Sequence, residues 1–289
     1  MLYSMLIAPF AEFEFMRRAL AGVVALALGG GPIGVFLMLR RMSLMGDAMA
    51  HAILPGAAIG FLISGVNLMA MTVGGLTAGF AVALAAGLVA RVTELKEDAS
   101  LAAFYLVSLA VGVTIVSLRG SNIDLLHVLF GNVLALDDAT LMVIAFNATV
   151  SLVTLSFIYR PLVLECVDPL FLRSVSRAGA PAHLAFLALV VINLVNGFHA
   201  LGTLLAVGLM ILPAGIARFW ARDISRMIAI AVASAIVAGY AGLVLSFHSR
   251  VPSGPAIILM TAVIYVGSVL FGPVGGLVRK MFPGRHLEA

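Results

Sequence analysis

Charge is scarce in this chain of 289 residues. Asp, Glu, Lys and Arg make up 10% of it, against 63% hydrophobic residues, whereas soluble domains are about one-quarter charged. That scarcity excludes an ordinary soluble domain. The formal net charge of +4 does not suggest nucleic-acid binding. Cysteine is scarcer still. Cys166 is the only one, which excludes an intrachain disulfide and argues against a thiolate metal cluster. There is no Gly-x-x-x-x-Gly-Lys-Ser/Thr run and no His-Glu-x-x-His, so neither phosphate-loop nucleotide binding nor a helical metalloprotease site is expected. No Ser/His/Asp set is singled out by spacing, and an enzyme is not expected. At the start, Met1–Phe10 is apolar, but no basic residue precedes it and Glu12 and Glu14 follow. A cleaved signal is therefore not expected, and the first span directs insertion.

What remains is apolar sequence in bilayer-sized blocks, since about 20 apolar residues cross the hydrocarbon core. Nine segments qualify: Leu20–Leu39, Leu44–Ser64, Leu68–Ala90, Leu101–Leu118, Ala139–Ile158, Leu184–Phe198, Leu201–Ala217, Met227–Phe247 and Pro255–Val278. The sixth and seventh are short, and a broken pair would reduce the count to eight. The semi-polar stretch Asn122–Leu136, with Leu129-Phe-Gly-Asn132, reads as an interfacial or re-entrant helix. The expectation is an all-α polytopic membrane protein forming one transmembrane domain over 1–289. Most of the 17 basic residues fall in loops on one side under nine spans. The positive-inside rule then puts the N-terminus outside and the C-terminus in the cytoplasm. The patterns Gly56-x-x-x-Gly60 and Gly75-x-x-x-Gly79 favour close helix approach. Pro55, Pro213 and Pro255 mark kinks or helix ends.

The chemistry-bearing residues are few. Asp47 and His51 lie in Ser43-Leu-Met-Gly-Asp-Ala-Met-Ala-His-Ala-Ile-Leu-Pro-Gly56. Positions i and i+4 share a helix face, so a carboxylate and an imidazole aim at one point in or near the membrane. Ionisable groups there usually line a path or bind something. Carboxylate with imidazole suits divalent zinc, manganese or iron. Two ligands make a weak site, and a homodimer with this helix at its axis supplies two Asp and two His. The plainer alternative is a helix-packing pair that satisfies itself. His199, with Asn193 and Asn196, falls at the sixth-to-seventh turn, and His248 in a loop on the same side. Either could line an outer rim that admits a cation, but a polar turn is the simpler reading. Asp124 and His127 read as an interfacial pair, His183 and His286 as surface residues, and Glu165, Cys166 and Asp168 as a structured loop. After Pro213, the stretch to Arg226 carries three arginines, Asp223 and the only tryptophan. It is either an interfacial anchor or a short coupling helix for a cytoplasmic partner.

The run Leu39-Arg-Arg-Met-Ser-Leu-Met-Gly-Asp-Ala-Met-Ala-His-Ala-Ile-Leu-Pro-Gly56 resembles the signature of the zinc/manganese/iron-chelate class of ABC-importer permeases. The likeness continues in register through Lys96-Glu-Asp-Ala-Ser-Leu-Ala102, Ile123–Leu134 and Val207-Gly-Leu-Met-Ile-Leu-Pro-Ala214. The resemblance implies a type II-like importer fold in a bacterial plasma membrane. It implies a homodimer without its own ATPase, two cytoplasmic ATP-binding cassette subunits, and an extracytoplasmic metal-binding protein. Asp47 and His51 would coordinate the metal in the channel, with no resident cofactor. The stretch Ala214–Arg226 would carry the coupling helix, so Pro213, Ala214, Arg218, Arg222, Asp223 and Arg226 are the expected coupling residues. The general resemblance points to zinc, with manganese suiting the donors equally well. The rival classes are an ion-coupled secondary metal transporter with Asp47 as proton carrier, a membrane metalloenzyme, and a structural subunit without a conduit.

Overall fold

A computed structural model describes residues 2–65, 67–94, 97–118, 133–168, 171, 172, 174, 176 and 178–281. The expected pair Asp124/His127, the Leu129–Asn132 motif and His286 lie outside them. All regular structure among the described residues is helical. The helices are α1 (Leu2–Leu6), α2 (Ala8–Glu12), α3 (Glu14–Leu39), α4 (Met45–Ser64), α5 (Leu68–Val92), α6 (Glu97–Leu118), α7 (Asp138–Val167), α8 (Gly179–Leu201), α9 (Thr203–Trp220), α10 (Ile224–Ser249), α11 (Ser253–Phe271) and α12 (Leu277–Met281). A short 3-10 turn, Val133–Ala135, precedes α7. Helices α3 to α11 are the nine, among the described residues, that are long and apolar enough to cross a membrane.

The helix boundaries follow local chemistry. Asn67 accepts from the amides of Met69 and Ala70 at the start of α5, Asp137 from Thr140 at α7, and Asp223 from Arg226 at α10. Each satisfies amides that have no partner inside the helix. The Thr140 hydroxyl and amide hold the Asp137 carboxyl below the usual carboxylate range. The sixth and seventh spans are longer than the hydropathy suggested and separate elements. Gly202 alone divides them, at φ 88°, a conformation that glycine adopts without steric penalty.

Side-chain contacts identify the two ends of the bundle. At one, Arg18 reaches Glu14 on its own helix and Asp138 at the start of α7. At the other, Arg40 just beyond α3 meets Glu165 near the end of α7 and His183 near the start of α8. Between the ends, small residues set the spacing. Gly56 of α4 and Gly74 of α5 lie so close that a Cβ on either would collide with the other's carbonyl oxygen. Gly34 of α3 stands the same way against the Met210 carbonyl of α9. Lipid tails are as apolar as leucine, so such backbone approach and dispersion, rather than hydrophobic driving force, hold membrane helices together. The largest core cluster gathers Phe36, Met49, Ile53, Phe186, Leu194 and Met210 from α3, α4, α8 and α9. The Asp47 turn sits on this core.

Candidate functional site

Asp47 occupies the first turn of α4, where the helix dipole favours a negative charge. His51 follows one turn later on the same face. His51 Nε2 lies 3.8 Å from Asp47 Oδ1. That is too long for a hydrogen bond, so the pair does not simply satisfy itself. It is shorter than two metal–ligand bonds of about 2.0–2.2 Å laid end to end, so one ion can touch both atoms. The Asp47 side chain is 66% exposed and that of His51 34%. Among the described residues no group of three or more His, Cys, Asp or Glu is arranged to hold a metal. One chain therefore offers an incomplete donor set that faces outward.

The surroundings are built by α4 itself and two neighbouring helices. Gly46, the residue before Asp47, touches Met210 and Ile211 of α9, and a Cβ there would lie 3.0 Å from each side chain. Tyr105 of α6 stacks beside His51, ring centroids 6.2 Å apart and planes 29° from parallel. Asp47, Asp98 and Tyr105 share a cavity of about 160 Å³ between α4 and α6. One turn beyond His51, Pro55 sits inside α4. It has no N–H to offer the His51 carbonyl, which weakens the helix at that level.

The other expected residues fall elsewhere. His199 belongs to the last turn of α8 instead of a connecting loop, and its side chain is outside the described residues. Asn193 is not at a rim: it is buried in α8, donating to Ser151 Oγ at 2.7 Å and accepting from Asn147 at 3.2 Å. His248 is exposed at the Arg18 end, its Nδ1 3.0 Å from the Val244 carbonyl. His248 is not brought to Asp47.

The stretch from Pro213 to Arg226, expected to carry a coupling helix, is also organised differently from expectation. Pro213 does not end its helix, because α9 continues to Trp220. Ala214 is buried in that helix, Arg218 is exposed on its last turn, and Arg222 is exposed beyond it. A three-residue link leads to α10, which Asp223 caps through the Arg226 amide. No separate short helix stands here among the described residues. The Phe219 carbonyl accepts from Val274 N at 2.8 Å, and Trp220 Nε1 donates to Ser268 Oγ at 2.9 Å. These bonds tie the end of α9 to α11 and the segment after it. A cavity of about 610 Å³ opens beside Arg218, Arg222 and Tyr265.

A cluster that the sequence did not reveal lies at the same end. Glu165 is helical and not in a loop, and His183 is not a surface residue but 8% exposed. Arg40 Nη2 is 3.3 Å from Glu165 Oε1 and hydrogen-bonds His183 Nδ1. The Arg40 guanidinium also covers the Phe186 ring at 5.3 Å, a cation–π contact. The four residues come from three separate places in the chain, with His183 and Phe186 one turn apart on α8, and no local pattern joins the three. Asn147 and Ser151 do carry a signal, two polar residues at i and i+4 in an apolar helix.

The family model described as ABC 3 transport family matches residues 12–272. The manganese transport system membrane protein MntC of Listeria monocytogenes is 31% identical over 267 residues, 92% of this chain and 94% of that protein. The chelated iron transport system membrane protein YfeD of Yersinia pestis is 28% identical, covering 98% of this chain and 94% of its own length. Among solved structures, PsaBC from Streptococcus pneumoniae in complex with Fab superposes with a TM-score of 0.81 at 26% identity. It covers 97% of this chain and all of the matched one.

Proposed function

The chain belongs to the ABC 3 transport family, and from that premise we propose that it is the multi-pass permease of an importer driven by a separate ATPase, with a divalent transition-metal cation as its substrate. The observation that carries this reading is the Asp47/His51 pair, two donors of the right chemistry on one face, 3.8 Å apart and open to a partner. Manganese stands ahead of zinc as the cargo. A carboxylate oxygen and an imidazole nitrogen suit either metal, but harder oxygen donors suit manganese. The name of the MntC relative points the same way, and that of YfeD keeps iron in view. This reverses the order expected from the general resemblance.

A second copy of the chain completes the site, because two α4 helices face to face supply two carboxylates and two imidazoles. The carboxylates offset the charge of the cation, and neutral imidazoles donate lone pairs. So sparse a set holds the ion weakly enough to release it, as conduction requires. The Arg40 end, which also carries Arg218, Arg222 and Arg226, faces the cytoplasm by the positive-inside rule. There the ATPase subunits dock on the end of α9 and the link to α10. A metal-binding protein delivers the ion from the opposite side. Helix α9 runs unbroken from Arg218 to Met210 and Ile211, which touch the turn of Asp47. Movement at the docking end therefore reaches the site through one rod.

The test is uptake of manganese by proteoliposomes holding the permease with its ATPase and binding protein. Uptake is expected to require ATP and to stop with vanadate. Asp47→Ala and His51→Ala are expected to reduce it to background while the complex still assembles. Uptake driven by a proton gradient without ATP would favour the secondary-transporter class. Wild-type uptake in either variant would remove the pair from the path.

A further inference from the structure

We propose that α6 forms a second wall of the cation site within the same chain, and that Tyr105 is the residue that positions the His51 imidazole. The inference rests on the reading of Asp47 and His51 as the cation pair and deepens it.

Helix α6 is locked in register on α4. Ser108 Oγ donates to the Ala52 carbonyl at 3.0 Å, and a Cβ at Gly112 would lie 3.0 Å from Pro55. These contacts sit on the turns just beyond His51, so they fix where the next turn of α6 places Tyr105. Its ring lies 6.2 Å from the His51 ring at 29°, within the range of offset aromatic stacking. The His51 side chain is otherwise one-third exposed, and Asp47 Oδ1 at 3.8 Å is too far to hold it by a hydrogen bond. The Tyr105 ring is therefore a contact that restricts the imidazole. The same face of α6 brings Asp98 into the cavity of about 160 Å³ that Asp47 lines, a space that holds several waters.

An imidazole that swings freely must be ordered each time an ion binds, which weakens binding. Partners that orient a metal-binding histidine typically matter about 10- to 100-fold in metal affinity or activity. The experiment compares Tyr105→Leu, Tyr105→Phe, His51→Ala and wild type in the assembled transporter. It measures KM and maximal rate of manganese uptake, and manganese binding by the permease without ATP. Tyr105→Leu is expected to raise KM and weaken binding about 10-fold or more, with the amount of assembled complex unchanged. Tyr105→Phe keeps the ring and is expected to behave as wild type. Wild-type KM and binding in Tyr105→Leu would overturn the inference, as would equal impairment of Tyr105→Phe. A fall in assembled complex at unchanged KM would overturn it too, reducing Tyr105 to packing. Should the Leu variant fail to assemble, Tyr105→Met, a flexible apolar replacement, carries the same expectations. Full uptake in His51→Ala would defeat the parent reading instead, whatever the Tyr105 variants do.

Discussion

Two ionisable arrangements at the level of single residues differ in burial, and so in role. Asp47 and His51 are open and separated by 3.8 Å, too far apart to hydrogen-bond each other. Arg40 and Glu165 are 10% and 20% exposed, at 3.3 Å, with His183 beside them. Their remaining polar atoms, Arg40 Nη1 and Glu165 Oε2, are buried without a hydrogen-bond partner in the described structure. This group joins the ends of α3, α7 and α8 and reads as structural. Removing one member of a buried ion pair leaves the other charge uncompensated, at a cost of about 3–5 kcal/mol. Arg40→Ala is accordingly expected to lower the melting temperature of the purified permease clearly, whereas Asp47→Ala, at an exposed position, leaves it near wild type. Differential scanning fluorimetry in detergent distinguishes the two. Equal melting temperatures for Arg40→Ala and wild type would show that the cluster carries no load.

At the level of helices, the glycines of α5 show how unequal one residue type can be. Gly74 faces the Gly56 carbonyl at the closest point between α4 and α5, while nothing lies within 4 Å of a Cβ built at Gly87. Gly74→Ala forces the helices apart, an overpacking strain of about 1–3 kcal/mol. Gly87→Ala restricts the unfolded chain without a clash and is worth about 0.4–1 kcal/mol of stability. The melting temperature should therefore fall for the first and hold or rise for the second. Identical shifts would mean that α4 and α5 do not pack as described. Since α4 carries Asp47 and His51, Gly74→Ala is also expected to depress uptake more than its stability loss alone explains.

At the level of the whole assembly, the proposed homodimer makes a site with two donors per chain depend on the second copy. In a covalently joined tandem dimer with Asp47→Ala in one half only, manganese uptake should fall well below half of the wild-type tandem. On that proposal the one shared site loses a ligand, and no intact second site exists. Uptake at half the wild-type rate would indicate that each chain conducts independently. The comparison reads directly as initial rates of manganese accumulation with equal amounts of assembled transporter.

Whatever depends on neighbours along the chain was legible in the residues themselves. Nine spans follow from apolar length, because leaving water for the bilayer is a property of each segment. The shared face of Asp47 and His51 follows from the helix repeat alone. The family likeness follows from the Leu39–Gly56 run. Whatever depends on which helices become neighbours was not. Arg40 and Glu165 are 125 positions apart, Arg40 and His183 143, and Asn147 and Asn193 46. No periodicity within one helix specifies its partner across the bundle. That α9 runs as one helix through Pro213 to Trp220, beyond the expected Ala217, was not legible for a related reason. A proline removes one hydrogen bond, and packing of the surrounding helices against Met210, Ala214 and Ala217 decides that the helix continues. Tyr105 illustrates the same limit. Nothing beside it in the chain marks it, and only the register of α6 on α4 brings it to His51.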